Sequence, residues 1–320
     1  MAQYQKPNQN NWIGRTSTEP HYIYQRVKCL DLEQTTKPFE QRTMALLGYA
    51  CDEGVRRNHG RVGAKQAPGA IRKALGGFAD HLPVKSSLID FGDVVCGDED
   101  LEHAHELITH QLKTLLDLHC FPLLLGGGHD LAYAHFRGIR SHFAVSGQNP
   151  TIGIINLDAH FDLRKVEVHR NSGTPFYQLA QETSDFHYLC LGIQPQANNK
   201  ELYHTANEYG AKFMQMDQFH TNNWTSIVSS IDNFISKVDC VYLTIDMDGF
   251  SSAYAPGVSA PSPIGFDPPI VQKVIRHIMA SQKLISADVV EFNPIFDKDN
   301  QTAKLAACVI YELINSIKFI

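Results

Sequence analysis

Three apolar runs in this chain each end in side chains able to hold a metal ion or a proton. Thr151-Ile152-Gly153-Ile154-Ile155 leads into Asp158-Ala159-His160-Phe161-Asp162. Leu123-Leu124-Leu125 leads into Gly126-Gly127-Gly128-His129, and Val241-Tyr242-Leu243-Thr244-Ile245 leads into Asp246-Met247-Asp248. Short apolar runs bounded by glycine or polar clusters predict buried strands. In an open parallel α/β sheet, sites are built just past the C-terminal ends of the strands. One such segment reads equally as a polar loop after a strand; three with the same layout point to one shared site. In extended backbone, residues i, i+2 and i+4 face the same way, so Asp158, His160 and Asp162 are expected to converge.

From Thr43 onward strands and helices alternate. The expected strands are 43–48, 87–91, 121–125, 151–157, 187–193, 211–215, 239–245 and 284–290. The clearest helical pattern is 99–118, where Leu101, Ala104, Leu107, Ile108, Leu112, Leu115 and Leu116 recur at helical spacing, and Asp98 and Asp100 favour its start. Other helices are expected near 67–75, 130–143, 198–209, 224–236, 267–280 and 301–317. Eight strands joined by helical crossovers predict a parallel sheet with helices on both faces, or an eightfold barrel. Residues 1–40, rich in Gln, Asn, Thr and Pro, show no period and read as a tail or an irregular cover, with Trp12, Tyr22 and Tyr24 as packing points. No linker or internal repeat divides the rest, so 41–320 is expected to form one domain.

With 320 residues, 43% hydrophobic, the chain can bury a large α/β core. A net charge of −6 without a basic cluster argues against nucleic acid as a partner. The seven cysteines are scattered, odd in number and lack a Cys-x-x-Cys pair, which suggests reduced core residues in a cytoplasmic protein. The polar N-terminus has no signal core, and no apolar run reaches membrane-spanning length.

The candidate ligands are His129, Asp158, His160, Asp162, Asp246 and Asp248. Four carboxylates converging without cations would repel one another until some protonated. Two divalent cations balance four negative charges. Carboxylate and imidazole without thiolate favour Mn2+, with Fe, Co or Zn open. Such a pair acidifies a bound water, and the hydroxide attacks an electrophilic carbon; Asp162 is placed to accept its proton and pass it on. Two further segments have paired readings. The loop from Cys51 to Ala64, with Arg56, Arg57 and Arg61, is a solvated basic loop or a rim that captures an anionic group. Glu291, past the strand 284–290, leads into the next element or grips a cationic C–N group such as an amidinium.

The ordered motifs Leu-Gly-Gly-Gly-His129, Asp158-Ala-His160-Phe-Asp162, Asp246-Met-Asp248-Gly and Glu291-Phe-Asn-Pro resemble the signature of the ureohydrolases, a family that includes arginase, agmatinase and formimidoylglutamase. The resemblance extends from about residue 43 to the C-terminus. It implies a three-layer α/β/α sandwich around an eight-stranded parallel sheet, as in arginase, and two Mn2+ ions per subunit. It also implies that His129, Asp158, Asp162 and Asp246 hold one ion, and Asp158, His160, Asp246 and Asp248 the other. The family's habit of forming trimers or hexamers implies a homo-oligomer.

Several details are most similar to the formimidoylglutamase branch. They are Gly-Gly-Gly-His129 in place of Gly-Gly-Asp-His, Arg164 after Asp162-Leu, Ser172-Gly-Thr-Pro-Phe-Tyr-Gln178, Ala255-Pro-Gly-Val-Ser-Ala-Pro261, Trp12-Ile-Gly-Arg15 and Glu53-Gly-Val-Arg-Arg-Asn58. The implied activity is hydrolysis of N-formimidoyl-L-glutamate to L-glutamate and formamide, a step of histidine degradation. Arg164 would take a substrate carboxylate, with Arg56, Arg57 and Ser172 as further binding residues, and Asp162 and Glu291 would act in catalysis. Asn171-Ser-Gly173 departs from the Ser-His-Gly of agmatinases and from the His-Ser-Gly of the formimidoylglutamase branch, so a shuttle histidine is absent there. A urea-releasing guanidino hydrolase and a non-catalytic metal-binding protein on the same fold are the alternative functions.

Overall fold

The computed structural model describes residues 1–316 except Arg42 and Asp98. All eight expected strands form: β3 (Thr43–Ala50), β4 (Ser87–Val95), β5 (Cys120–Leu125), β6 (Ile152–Leu157), β7 (His187–Ile193), β8 (Lys212–Gln215), β9 (Cys240–Asp246) and β10 (Leu284–Val290). Two short ones precede them, β1 (Gln3–Gln5) and β2 (Lys28–Cys29). The main path is β1-β4-β3-β5-β10-β9-β6-β7-β8, with β2 beside β4. The eight core strands pair in parallel throughout, and β1 is antiparallel to β4. Among the described residues β8 pairs only with β7, so the sheet is open and the barrel alternative falls.

Alternation along each strand explains the three layers. Leu123, Leu125, Leu243, Ile245, Ile155 and Leu157 point into one core. That core is closed by α3 (Ala67–Gly76), α8 (Trp224–Ile235), α9 (Pro268–Ala280) and α10 (Gln301–Ser316). Leu124, Tyr242 and Ile154 point the other way. There α4 (Leu101–Asp117), α5 (Leu131–Val145), α6 (Pro175–Glu182) and α7 (Lys200–Glu208) cover the sheet. Asp100 caps α4, accepting from the His103 amide at 3.1 Å; its expected helper Asp98 lies outside the described residues. Helix α6 was not expected from periodicity: it is short, and its start is set by Pro175 rather than by an apolar repeat. The cysteines divide: Cys51, Cys120, Cys190 and Cys240 are buried, whereas Cys308 is exposed on α10. No helix among the described residues is long and apolar enough to cross a membrane.

The N-terminal segment is fastened to the sheet. Its strand β1 carries no apolar period, yet it covers the exposed edge of β4, which would otherwise present unpaired backbone groups. Trp12 is buried and donates from Nε1 to Asp90 Oδ2 at 2.8 Å. The other oxygen of Asp90 takes Arg72 Nη2 at 2.8 Å, and Arg72 Nη1 reaches Asp93 at 2.6 Å. A fully buried Arg72 is tolerable because two carboxylates and the Gly92 carbonyl engage both of its terminal nitrogens. Tyr22 and Tyr24 stack with centroids 6.3 Å apart, and Tyr24 packs against the core. Replacing Trp12 by alanine is expected to cost about 3–5 kcal/mol through lost packing, read as a lower denaturation midpoint.

Candidate metal centre

The site lies where β5, β10, β9 and β6 end side by side. Register pairs Leu125 with Val289, Val290 with Asp246, and Ile245 with Leu157. The chain therefore delivers His129, Glu291, Asp246 with Asp248, and Asp158 to Asp162 at one level. Gly126 and Gly127 turn the backbone after β5 at φ +74° and +78°. A Cβ on Gly127 would stand 2.3 Å from the Tyr49 ring, so only glycine fits there.

Asp158, His160 and Asp162 do come together, but not through extended backbone as expected. Asp158 Oδ1 accepts from the His160 amide at 2.7 Å, which bends the chain into a turn, and Asp162 has φ +48°. The result sends Asp162 and His160 to different sides of Asp158. Asp246 makes the same kind of turn, its Oδ1 accepting from the Asp248 amide at 2.7 Å.

Two groups of ligand atoms result. His129, Asp158, Asp162 and Asp246 form one; Asp158, His160 and Asp248 form the other. Asp158 belongs to both. Asp246, which the resemblance assigns to both, falls only in the first. His129 Nδ1 lies 3.2 Å from Asp158, 3.0 Å from Asp162 and 3.0 Å from Asp246. His160 Nδ1 lies 3.4 Å from Asp158 and 3.3 Å from Asp248.

The donor set fits cations. His129 Nδ1 and Asp248 Oδ1 are buried and make no aligned hydrogen bond among the described residues, although such atoms are almost always satisfied. Both atoms face the other ligands. The protein alone leaves the charge unbalanced. Burial first, then Asp248 and Asp158, pushes the Asp246 carboxyl well above its ordinary range. Burial, outweighed by His129 and His160, leaves Asp158 below its own. Burial, outweighed by Asp158, Asp162 and Asp246, leaves His129 well above its ordinary value.

Glu291 is buried at φ +62°, and its Oε1 accepts from the His129 amide at 2.8 Å. Burial, and then Asp248, pushes its carboxyl up to about 8. Glu291 shares with His160, Asp162, Asp246 and Asp248 a cavity of about 300 Å3. Arg164, Asn58 and His59 line this cavity and also an outer cleft of about 1250 Å3. Arg164 is exposed, makes no side-chain ion pair or hydrogen bond among the described residues, and stands between the two spaces. Ser172 lines the inner cavity, and its Oγ accepts from Asn58 Nδ2 at 3.1 Å.

The other arginines are already engaged. In α2 (Glu53–Arg57), Glu53 takes Arg56 Nε at 2.6 Å and Arg57 Nε at 2.8 Å. Arg57 also binds Glu102 at 2.7 Å, and Arg56 approaches Glu99 at 3.2 Å. Both line the outer cleft, but their charge is largely neutralised. Arg61 lies 3.9 Å over the Phe296 ring and donates to the Val258 and Ser259 carbonyls, tying loops together. All three arginines of the 51–64 loop thus have protein partners.

Three supporting residues escaped the sequence reading. Asn156 donates to Asp158 Oδ2 at 2.9 Å; its signal was a polar side chain inside an apolar strand. Asn198 accepts from the Phe161 amide at 3.0 Å and donates to the Ala159 carbonyl at 2.8 Å, clamping the turn. Phe176 of α6 meets the His129 ring edge-on at 5.3 Å.

The Arginase family model matches residues 42–315. The chain belongs to the arginase family. This arginase-family chain is 41% identical to the formimidoylglutamase of Geobacillus thermodenitrificans, over 97% of both chains. Its fold is similar to that of the Bacillus subtilis formimidoylglutamase, with TM-score 0.83 at 24% identity over 95% of this chain and 94% of the other. It is also similar to Trypanosoma cruzi formiminoglutamase solved with Mn2+, with TM-score 0.77 at 23% identity over 89% and 96%.

The bonds from Arg56 and Arg57 outweigh burial and hold the Glu53 carboxyl below its ordinary value of 4.5. A depressed carboxyl stabilises the fold above its unfolded pKa, and that stability is lost as pH falls through the folded one. Glu53→Gln is therefore expected to lower Tm at pH 7, with the gap to the parent protein closing below pH 4.5, measured by thermal unfolding across pH.

Proposed function

We propose that this arginase-family protein hydrolyses N-formimidoyl-L-glutamate to L-glutamate and formamide, using two Mn2+ ions. The observation that carries the reading is the pairing of two ligand groups sharing Asp158 with formimidoylglutamase relatives that align over nearly the whole chain. His129, Asp158, Asp162 and Asp246 would hold one ion. Asp158, His160 and Asp248 would hold the other. When bound, the ions supply Lewis-acid polarisation and acidify water at neutral pH.

The chain's own residues do the rest. Arg164, uncommitted at the neck of the inner cavity, takes a substrate carboxylate. Ser172 and its partner Asn58 supply polar contacts on the same wall. The Glu291 carboxylate, steadied by the His129 amide, accepts hydrogen bonds from the cationic formimidoyl nitrogen. A substrate cation beside Glu291 favours its ionised form. Asp162 takes the proton of the attacking water and hands it toward the leaving amine. A C–O bond forms at the formimidoyl carbon, the bond from that carbon to the glutamate nitrogen breaks, and formamide and glutamate result. Residues 41–320 form the catalytic domain in this reading, and the protein works as a cytoplasmic homo-oligomer.

Mn2+-loaded protein given formimidoylglutamate, arginine and agmatine side by side is expected to release formamide from the first and no urea from the others; urea as the main product would replace this reading with a guanidino hydrolase. Asp158→Ala and Asp246→Ala should each lose Mn2+ binding and turnover, and full activity without metal in either would refute the metal site. Arg164→Ala is expected to raise KM for formimidoylglutamate roughly 10- to 100-fold with a smaller change in kcat. An unchanged KM would move carboxylate recognition to another residue.

A further inference from the structure

Beneath the candidate metal centre, on the side away from the cavity, lies a second buried polar network. His129 Nε2 is 3.0 Å from Thr244 Oγ1, and Thr244 Oγ1 donates to Asp288 Oδ1 at 2.5 Å. The other oxygen of Asp288 meets Tyr242 OH at 2.5 Å and His135 Nδ1 at 2.7 Å. His135 Nε2 is 2.8 Å from Ser286 Oγ. Thr244, Asp288, His135, Tyr242 and Ser286 are all buried, with at most 1% of any exposed.

The hydrogen count determines the direction of each bond. An ionised carboxylate only accepts, so Thr244, Tyr242 and His135 all donate to Asp288. The single hydroxyl hydrogen of Thr244 is then spent on Asp288, and Thr244 can only accept from His129. His129 must therefore carry a hydrogen on Nε2, so that Nδ1 is the ring nitrogen available to a cation. That Nδ1 is the buried atom with no aligned hydrogen bond, facing Asp158, Asp162 and Asp246. The reverse arrangement, with Thr244 donating to His129, would strip a buried Asp288 oxygen of its donor and aim an N–H at the ligand cluster.

We propose that Thr244 and Asp288 are positioning residues for His129, a carboxylate–hydroxyl–imidazole relay that selects the tautomer able to bind a cation and holds the ring in register with the carboxylates. The inference rests on His129 being a metal ligand, as in the proposed function. Neither Thr244 nor Asp288 lines the inner cavity. Their contribution is to metal affinity: a ring with the wrong tautomer must first exchange its proton, and a ring without its outer hydrogen bond is a weaker base. The network also explains why β9 and β10 carry polar residues at matched positions. Register places Thr244 directly beside Asp288 on neighbouring strands.

The test is Mn2+ titration of the full-length metal-stripped protein, following free Mn2+ by electron paramagnetic resonance. Thr244→Val keeps the shape and removes the hydroxyl; Thr244→Ser keeps the hydroxyl and removes a methyl. Thr244→Val is expected to weaken Mn2+ binding at one of the two sites about 10- to 100-fold, and Thr244→Ser to bind close to the parent. With Mn2+ saturating, KM for formimidoylglutamate should stay at the parent value in both. Parent-like Mn2+ affinity in Thr244→Val, or an equal loss in Thr244→Ser, overturns the relay. Should the valine variant fail to fold by circular dichroism, Thr244→Ala replaces it under the same criteria. His129→Ala separates this failure from that of the metal reading: parent-like Mn2+ binding there would remove His129 as a ligand altogether.

Discussion

Mutual repulsion among carboxylates is the interaction that the rest of this site is built to withstand. Asp158, Asp162, Asp246, Asp248 and Glu291 meet at one sheet edge around the imidazoles of His129 and His160. Left in water, such groups would separate. Here they are held by strands spaced about 4.8 Å apart, whose ends are locked level by parallel pairing on both sides. The large apolar cores on the two faces of the sheet provide the free energy that keeps the strands in register against that repulsion.

Holding the backbone is not sufficient, because each carboxylate must also point inward. The turns at Asp158 and Asp246 solve this with one device: one oxygen of each accepts from an amide two residues on, which fixes the carboxylate and sets its other oxygen against His129 Nδ1. Asn156 and Asn198 steady the first turn, and the His129 amide steadies Glu291. The positive backbone angles at Asp162 and Glu291 are sparsely populated conformations for such residues, and they fall at the centre and its wall.

The outer cleft follows a different logic. Its arginines are sorted by pairing. Glu53 and its acidic neighbours absorb Arg56 and Arg57, so these residues brace the wall. Arg61, on the inner cavity, is committed to carbonyls and the Phe296 ring. Arg164, outside these clusters, keeps its charge available at the neck between cleft and cavity. A run of arginines in the sequence carries no mark of this division, because the partners Glu99 and Glu102 come from a segment more than forty residues away.

Much of the centre was legible beforehand. Alternation with helical patterns located all eight core strands, and three of them ending in ligand-type side chains supplied six ligand candidates, because a buried parallel strand needs an apolar run and a loop beyond it must carry the polar groups. Periodicity found seven of the long helices but not α6, whose eight residues begin at a proline and span too few turns to repeat. The Gln-rich β1 carried no apolar signal, since an edge strand is held by backbone bonds rather than by side-chain burial. The chain itself thus determined its layers and the chemistry of its ligands, which depend on short-range pattern and side-chain type. Only the tertiary structure decided which ligand atoms group together, that Asp246 sides with His129, that Arg164 stays uncommitted, and that Asp288 stands behind Thr244. Those facts depend on distances between strands far apart in the chain, and no local pattern encodes them.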